Sequence, residues 1–220
     1  MMHLTFENAS KWFPDVLMFA VTCDPETEIE KAYRNCWQSE PRGDRGKFII
    51  ACIKRGHLSC LEFACATIQV VASRAATHQI VRHRIASYAQ ESQRYVEQGN
   101  TTYLVVPPEI YENNVALEIF VEAMNFAWRA YAGLLENGIK KEDARFVLPN
   151  ACKSKILINM NFRAWRHFLK LRCSKEAQWE IRGIADAILI LLHERAPSVF
   201  GDLYEKYILE KDIPLWTESD

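Results

Sequence analysis

The sequence lacks most of the features that announce a function outright. Its seven cysteines, at positions 23, 36, 52, 60, 65, 152 and 173, include no C-x-x-C pair. An odd number, most of them in apolar surroundings such as IIACI and FACAT, points to reduced, buried thiols and away from a disulfide framework. No H-E-x-x-H or Cys/His ligand spacing occurs, and His78 and His83 would sit about 140° apart around a helix. No metal is expected. The phosphate loops G-x-G-x-x-G and G-x-x-x-x-G-K-[ST] are missing, as is the nucleophile elbow G-x-S-x-G. No run approaches the roughly 18 apolar residues of a membrane span, and MMHLTFENASKWF has no basic start leading into an apolar stretch. Charge of one sign is missing too. Lys and Arg number 27 against 28 Asp and Glu, so there is no pervasive basic field of the kind a general nucleic-acid binder shows. The expectation is a soluble, cytoplasmic protein that contacts neither membrane nor nucleic acid. With no Ser/Gly-rich tract, low-complexity run or repeat, residues 1–220 should form a single domain.

What is present is a 49% apolar share over 220 residues, enough for a sizeable core. Alternation or β-branched richness marks strands at HLTFE (3–7), 66–72, TTYLVV (101–106) and ILINM (156–160). Thr27 and Glu30 make a capping box, and a second helix fits 46–55 with Gly56 as its stop. Ser73 can cap a helix through RAATHQIVRHR, and Gly99-Asn100 marks a turn. Further helices are predicted over 116–135, where apolar spacing is strongest, and over 162–171 and 179–194. Strands and helices mix without a regular βαβ repeat. The fold class is therefore α+β, a mixed or antiparallel sheet flanked by helices, with the long amphipathic helix used in oligomer packing.

The densest polar segment is RHRIASYAQESQRYV, residues 82–96. In a helical reading Gln79 and Arg82, three apart, face one ligand. A loop through Ser87, Ser92 and Arg94 then adds hydroxyl, backbone and guanidinium donors. Arginine in preference to lysine suits planar, bidentate binding of phosphate. The bland alternative is a solvated basic turn. A second cluster, NMNFRAWRHFLKLR, puts Asn161 at a strand end, Arg163 and His167 at i and i+4, and Arg172 just past the helix. Arg163, Arg166 and Lys170 meet no acid nearby in sequence until Glu176, and uncompensated cations invite an anionic ligand. Cys60 and Cys65 read as small apolar fillers, not nucleophiles.

Together these stretches resemble the flavin-dependent thymidylate synthases. The family signature, R-H-R, seven residues and a Ser, stands here as Arg82-His83-Arg84 and Ser92, with Ser87 inside it. The likeness extends through S-R-A-x-x-H-Q-x-x-R-H-R (73–84), S-Q-R-Y (92–95) and G-H-x-S-x-L-E (56–62). It continues in A-R-x-V-L-P (144–149), N-x-R-A-W-R-H-F (161–168), L-R (171–172) and A-Q-W-E-I-R (177–182). The resemblance implies that deoxyuridylate (dUMP) becomes thymidylate, with methylenetetrahydrofolate as carbon donor, FAD as hydride-carrying cofactor and NADPH as reductant. It also implies a homotetramer with sites shared between subunits. By the same resemblance, His57, Ser59, Arg82, His83, Arg84, Gln90, Asn161, Arg163 and His167 contact the flavin. Gln79, Arg82, Gln90, Glu91, Ser92, Gln93, Arg94, Arg145 and Arg172 contact the nucleotide, and Arg172 is the catalytic group that polarises or ionises the uracil. The residue types suit those tasks. Arg94 and Arg145 can make charge-assisted hydrogen bonds to a phosphate dianion, and Arg172 can stabilise negative charge on the N3/O2 edge. Ser92 has no neighbouring general base and is read as a contact, not a nucleophile.

The sequence departs from the family pattern at Ala89-Gln90, where many members have Asn-Glu, and at Phe63, where the upstream motif often has His. Two alternatives stay open. One is a nucleic-acid-binding module using Arg82, Arg84 and Arg94 with Tyr88 or Tyr95 stacking on bases; the other is a catalytically degenerate family member.

Overall fold

The computed structural model describes residues 12–98 and 104–210. In order they form β1 (Asp15–Val21), α1 (Pro25–Trp37), α2 (Arg45–Lys54), β2 (Cys65–Ser73), α3 (Arg74–Ile80) and β3 (Ser87–Gln90). Then follow α4 (Pro108–Tyr111), α5 (Asn114–Glu136), α6 (Lys141–Ala144), β4 (Lys153–Asn161), α7 (Phe162–Arg172), α8 (Trp179–Arg195) and α9 (Pro197–Tyr204). The expected HLTFE strand and the Gly99-Asn100 turn lie outside the described residues. Of TTYLVV only the second half is described, and there Leu104 makes an antiparallel bridge to Cys152.

The fold is α+β, with a small antiparallel sheet in the order β1-β2-β4-β3 flanked by helices. Its central pair follows directly from period-two patterning. Ala66, Ile68, Val70 and Ala72 are buried on β2, and Ser154, Ile156, Ile158 and Met160 on β4. The Phe162 N–H donates to the Ala64 carbonyl (2.8 Å) and the Arg74 N–H to that of Cys152 (2.9 Å). On the polar face Asn159 Nδ2 donates to Thr67 Oγ1 at 2.7 Å. A slip of one residue would turn every buried side chain outward, so this register is strongly specified.

The described residues divide into two units, one made of 14–70, 80–89 and 157–210, the other of 12–13, 71–79, 90–98 and 104–156. In the first, α8 buries Ile181, Ile184, Ala185, Ile188, Leu189 and Leu192 and packs on α7, α9 and β1. Trp165 of α7 is fully buried, and its indole N–H donates to the Ala66 carbonyl at 3.1 Å. Arg166 corrects the expected row of uncompensated cations. It is 4% exposed and paired through two 2.6 Å bonds with Asp202 of α9, and it also donates to the Val199 carbonyl. The Thr27 capping box is likewise corrected: Asp24 caps α1, accepting from the Thr27 N–H, with Pro25 in the first turn where no N–H is needed. Ala196-Pro197 ends α8 as expected, but the same proline opens α9, which the sequence pattern missed.

The second unit is built around α5. Asn113 caps it by accepting from the Ala116 N–H at 3.1 Å. Trp128 and Tyr131 pack with Leu104, Ala144 and Cys152. None of the seven cysteines, all among the described residues, is in a disulfide. Cys52, Cys60, Cys152 and Cys173 are buried as expected, whereas Cys23, Cys36 and Cys65 are exposed. Among the described residues no helix is long and apolar enough to cross a membrane, and no cluster of His, Cys, Asp and Glu could hold a metal ion.

Candidate active site

Asn161 closes β4 and opens α7, its side-chain oxygen accepting from the Ala164 N–H at 2.9 Å. That cap sets the phase of the helix. Arg163 and His167, four residues apart, come onto one face, and Arg172 is its last residue, not one beyond it. The R-H-R segment is not helical as expected, because α3 stops at Ile80. Beyond it the chain turns, the Ile80 carbonyl accepting from the His83 N–H (3.2 Å), and the Tyr88 hydroxyl braces the turn at the carbonyls of Ile80 (2.9 Å) and His83 (2.7 Å). Carbonyls bonded in this way are satisfied without another helical turn. Burial pushes the Tyr88 phenol up to about 12, so it remains a donor. Gln79 therefore stays on α3 while Arg82 lies past its end, and the shared helical face is lost. Ser87 to Gln90 is also no loop but strand β3.

Arg82, His83 and Arg84 meet Asn161, Arg163, His167 and Arg172 in the lining of one cavity of about 590 Å³. Glu62, Ile85, Met160, Ala164 and Leu171 complete its walls. Arg82 and Arg84 are exposed and have no acidic partner among the described residues. Arg163 is held by Glu62 at 2.7 Å. The Arg172 Nε–H donates to His83 Nε2 at 3.0 Å. The His83 ring also packs edge-on against Phe168 (4.8 Å between centroids) and His167 (5.9 Å). Burial first, then the charges of Arg172 and His167, lower the His83 pKa to about 4, leaving the ring neutral at physiological pH.

Two flavin candidates of the same unit do not line this cavity. Ser59 is exposed on a 3-10 turn. The exposed His57 sets its ring edge-on to Trp37, and its carbonyl accepts from the Tyr33 hydroxyl. The remaining candidates belong to the other unit. Gln90 Nε2 donates to Thr77 Oγ1 and Ser154 Oγ, both at 3.0 Å. Glu91 accepts from Gln98 Nε2 at 2.8 Å, and Ser92 Oγ accepts from the Arg94 N–H at 3.3 Å. Gln93 is buried, its amide nitrogen without a partner among the described residues. Arg94 is held by Glu142 at 3.1 Å, and the Arg145 Nε–H donates to the Glu142 carbonyl at 3.1 Å.

Residues 18–198 match the family profile described as thymidylate synthase complementing protein. A flavin-dependent thymidylate synthase of Geobacter sulfurreducens is 43% identical over 192 residues, covering 82% of this chain and 83% of the relative. One from Nitratidesulfovibrio vulgaris is 40% identical over 211 residues, 86% of each chain. One from Pyrococcus abyssi reaches 46% over 134 residues, 59% of this chain and 55% of the relative. The chain belongs to the flavin-dependent thymidylate synthase family. Its departures from the family pattern acquire a physical setting here. Gln90 gives both hydroxyls an N–H that a glutamate lacks, and Phe63 is 68% exposed on the 3-10 turn. Two acids that matter were missed as site residues. Glu62 lies inside the matched G-H-x-S-x-L-E motif, which was its available signal. Glu142 carries no sequence signal, because nothing in the spacing pairs it with an arginine 48 residues away.

Proposed function

We propose that this chain is a working flavin-dependent thymidylate synthase whose cavity, walled by residues 82–84 and 161–172, is the place of reaction. The enzyme methylates dUMP to dTMP and is of the methyltransferase type. When bound, FAD supplies the hydride, with NADPH as its reductant and methylenetetrahydrofolate as the carbon donor. The lining suits that group. Arg82, Arg84 and Arg163 offer charge to a pyrophosphate, and Ile85, Met160 and Leu171 offer apolar surface to a ring. The volume falls within the roughly 300–1,000 Å³ of small-molecule sites. The convergence of seven candidate residues on one cavity carries this reading.

The chain's own tasks are to bind, orient and polarise. Arg172 stays charged although burial lowers its pKa, and it stabilises negative charge on the uracil N3/O2 edge. Arg94, Arg145 and Ser92 hold the phosphate, with Gln79, Gln90, Glu91 and Gln93 around the nucleotide; His57 and Ser59 reach the flavin. Residues 1–220 act as a single domain in a cytoplasmic homotetramer with sites shared between subunits. The exposed Val115, Ile119 and Phe126 of α5 give an apolar stripe for a second copy to cover. The nucleic-acid alternative is weakened at Tyr88, which is half-buried as well as tied through its hydroxyl to the chain.

Purified protein should be yellow and release FAD on denaturation, and it should rescue a thymidine-requiring bacterial strain. Colourless protein that cannot be reconstituted with FAD would sink the proposal, and failed rescue by a flavin-loaded protein would leave a degenerate relative. A second expectation concerns Arg94. Its Glu142 pair is half-exposed and holds it weakly, so a phosphate can displace the carboxylate. Arg94→Ala should raise the KM for dUMP by about 10- to 100-fold, the worth of lost charge-assisted bonds. The kcat should change little, because the phosphate is bound alike in ground and transition states. An unchanged KM would remove Arg94 from the phosphate.

A further inference from the structure

We propose that His83 is a positioning residue for Arg172, accepting the Arg172 Nε–H on its own Nε2 so that the guanidinium meets the substrate through its terminal amino groups. The inference rests on the proposed role of Arg172 and gives the R-H-R histidine a task separate from touching the flavin.

The argument starts from donors and acceptors. A guanidinium has only N–H donors, so a 3.0 Å bond between Arg172 Nε and His83 Nε2 requires the imidazole nitrogen to be the acceptor. The ring must therefore be neutral, with its proton on Nδ1. The surroundings enforce that state. Arg172 and His167 face the ring from α7, Arg82 and Arg84 flank it in sequence, and Glu62, a carboxylate of the same cavity, is paired with Arg163. The ring is also held in place. Phe168 and His167 pack against it, and the Tyr88 hydroxyl grips the His83 backbone carbonyl. Arg172 is the last residue of α7 and has a long, rotamer-rich side chain. A fixed acceptor at Nε selects one orientation of the planar fork, and small displacements of a reacting group carry large rate penalties.

The test compares His83→Leu, which keeps bulk and removes the acceptor, with His83→Gln, whose amide oxygen restores one. Tritium release from 5-labelled dUMP, expressed per bound FAD, should fall by about 10- to 100-fold in His83→Leu and recover to within about 5-fold of the parent in His83→Gln. In an Arg172→Ala background, His83→Leu should cause no further loss. The second readout needs no activity. Imidazole ¹⁵N NMR of the flavin-free protein should show His83 as the Nδ1–H tautomer, still neutral at pH 5.5. Equal losses in the Leu and Gln variants, effects that multiply with Arg172→Ala, or an Nε2–H ring would each overturn the proposal. An Arg172→Ala enzyme with full turnover would instead bring down the assigned role of Arg172, while the NMR tautomer still reports on the pairing.

Discussion

Replacing Arg172 by alanine should lower dUMP turnover by about two to three orders of magnitude while leaving FAD bound. The size follows from the job. A preorganised donor aimed at developing charge in a water-poor site contributes ~3 kcal/mol, and removing one typically costs 10²–10³ in kcat. Arg172 meets both conditions, since it lines the cavity and burial already lowers its pKa. Tritium release from 5-labelled dUMP measures the step directly. A group acting mainly in the transition state should lower kcat and kcat/KM together, whereas one that only binds dUMP should raise KM alone. Arg172→Lys is not a mild change here. Lysine keeps the charge but supplies no planar fork and no Nε–H for His83, so it should recover about a tenth of the parent rate at most. Turnover equal to the parent in Arg172→Ala would remove the residue from the chemistry.

The part of this site that was legible in sequence is the part set by local spacing. Richness in β-branched residues gave β2 to within one residue at each end, ILINM gave only the second half of β4, and the helices α5, α7 and α8 were found. The Asn161 position at a strand end followed from the same pattern, and with it the placing of Arg163 and His167. What failed did so through interactions that spacing cannot express. Arg166 looked like a free cation because its partner Asp202 is 36 residues away, and Arg163 because Glu62 is 101 residues away. The extent of α3 was overestimated too. Nothing in RAATHQIVRHR says that a tyrosine beyond it will take the Ile80 and His83 carbonyls. Strand β3 has only four residues, too few for alternation to be told from a polar loop. Across these cases the long helices and the central strands were readable, whereas β1, β3 and α9 were not, nor were the counter-ions and carbonyl partners that decide which cations face a ligand.

That division of labour makes Trp165 the residue on which the site's placement most depends. Trp165→Ala should destabilise the protein by about 3–5 kcal/mol, the usual cost of emptying a large buried aromatic position. The side chain is fully buried, stacks edge-on with Phe168 at 5.5 Å, and donates its indole N–H to the Ala66 carbonyl of β2. Truncation would leave a cavity and an unsatisfied carbonyl together. For a chain of this length each kcal/mol moves Tm by about 2–4 °C, so a thermal melt should fall by roughly 6–20 °C. Trp165→Phe keeps most of the ring and loses only the donor; its cost should be about 1–3 kcal/mol. The functional consequence goes beyond stability. The helix that Trp165 pins to the sheet carries Arg163, His167 and Arg172, and its Phe168 is the ring that Trp165 and His83 share. At a temperature where Trp165→Ala remains folded, its dUMP turnover should therefore still drop, and the His83 imidazole should lose its depressed pKa as the packing around it loosens. A variant with a Tm within about 3 °C of the parent would show that α7 is held by other contacts. One that is destabilised yet turns over dUMP normally would show that the site tolerates a mobile helix, and the positioning argument for Arg172 would fall with it.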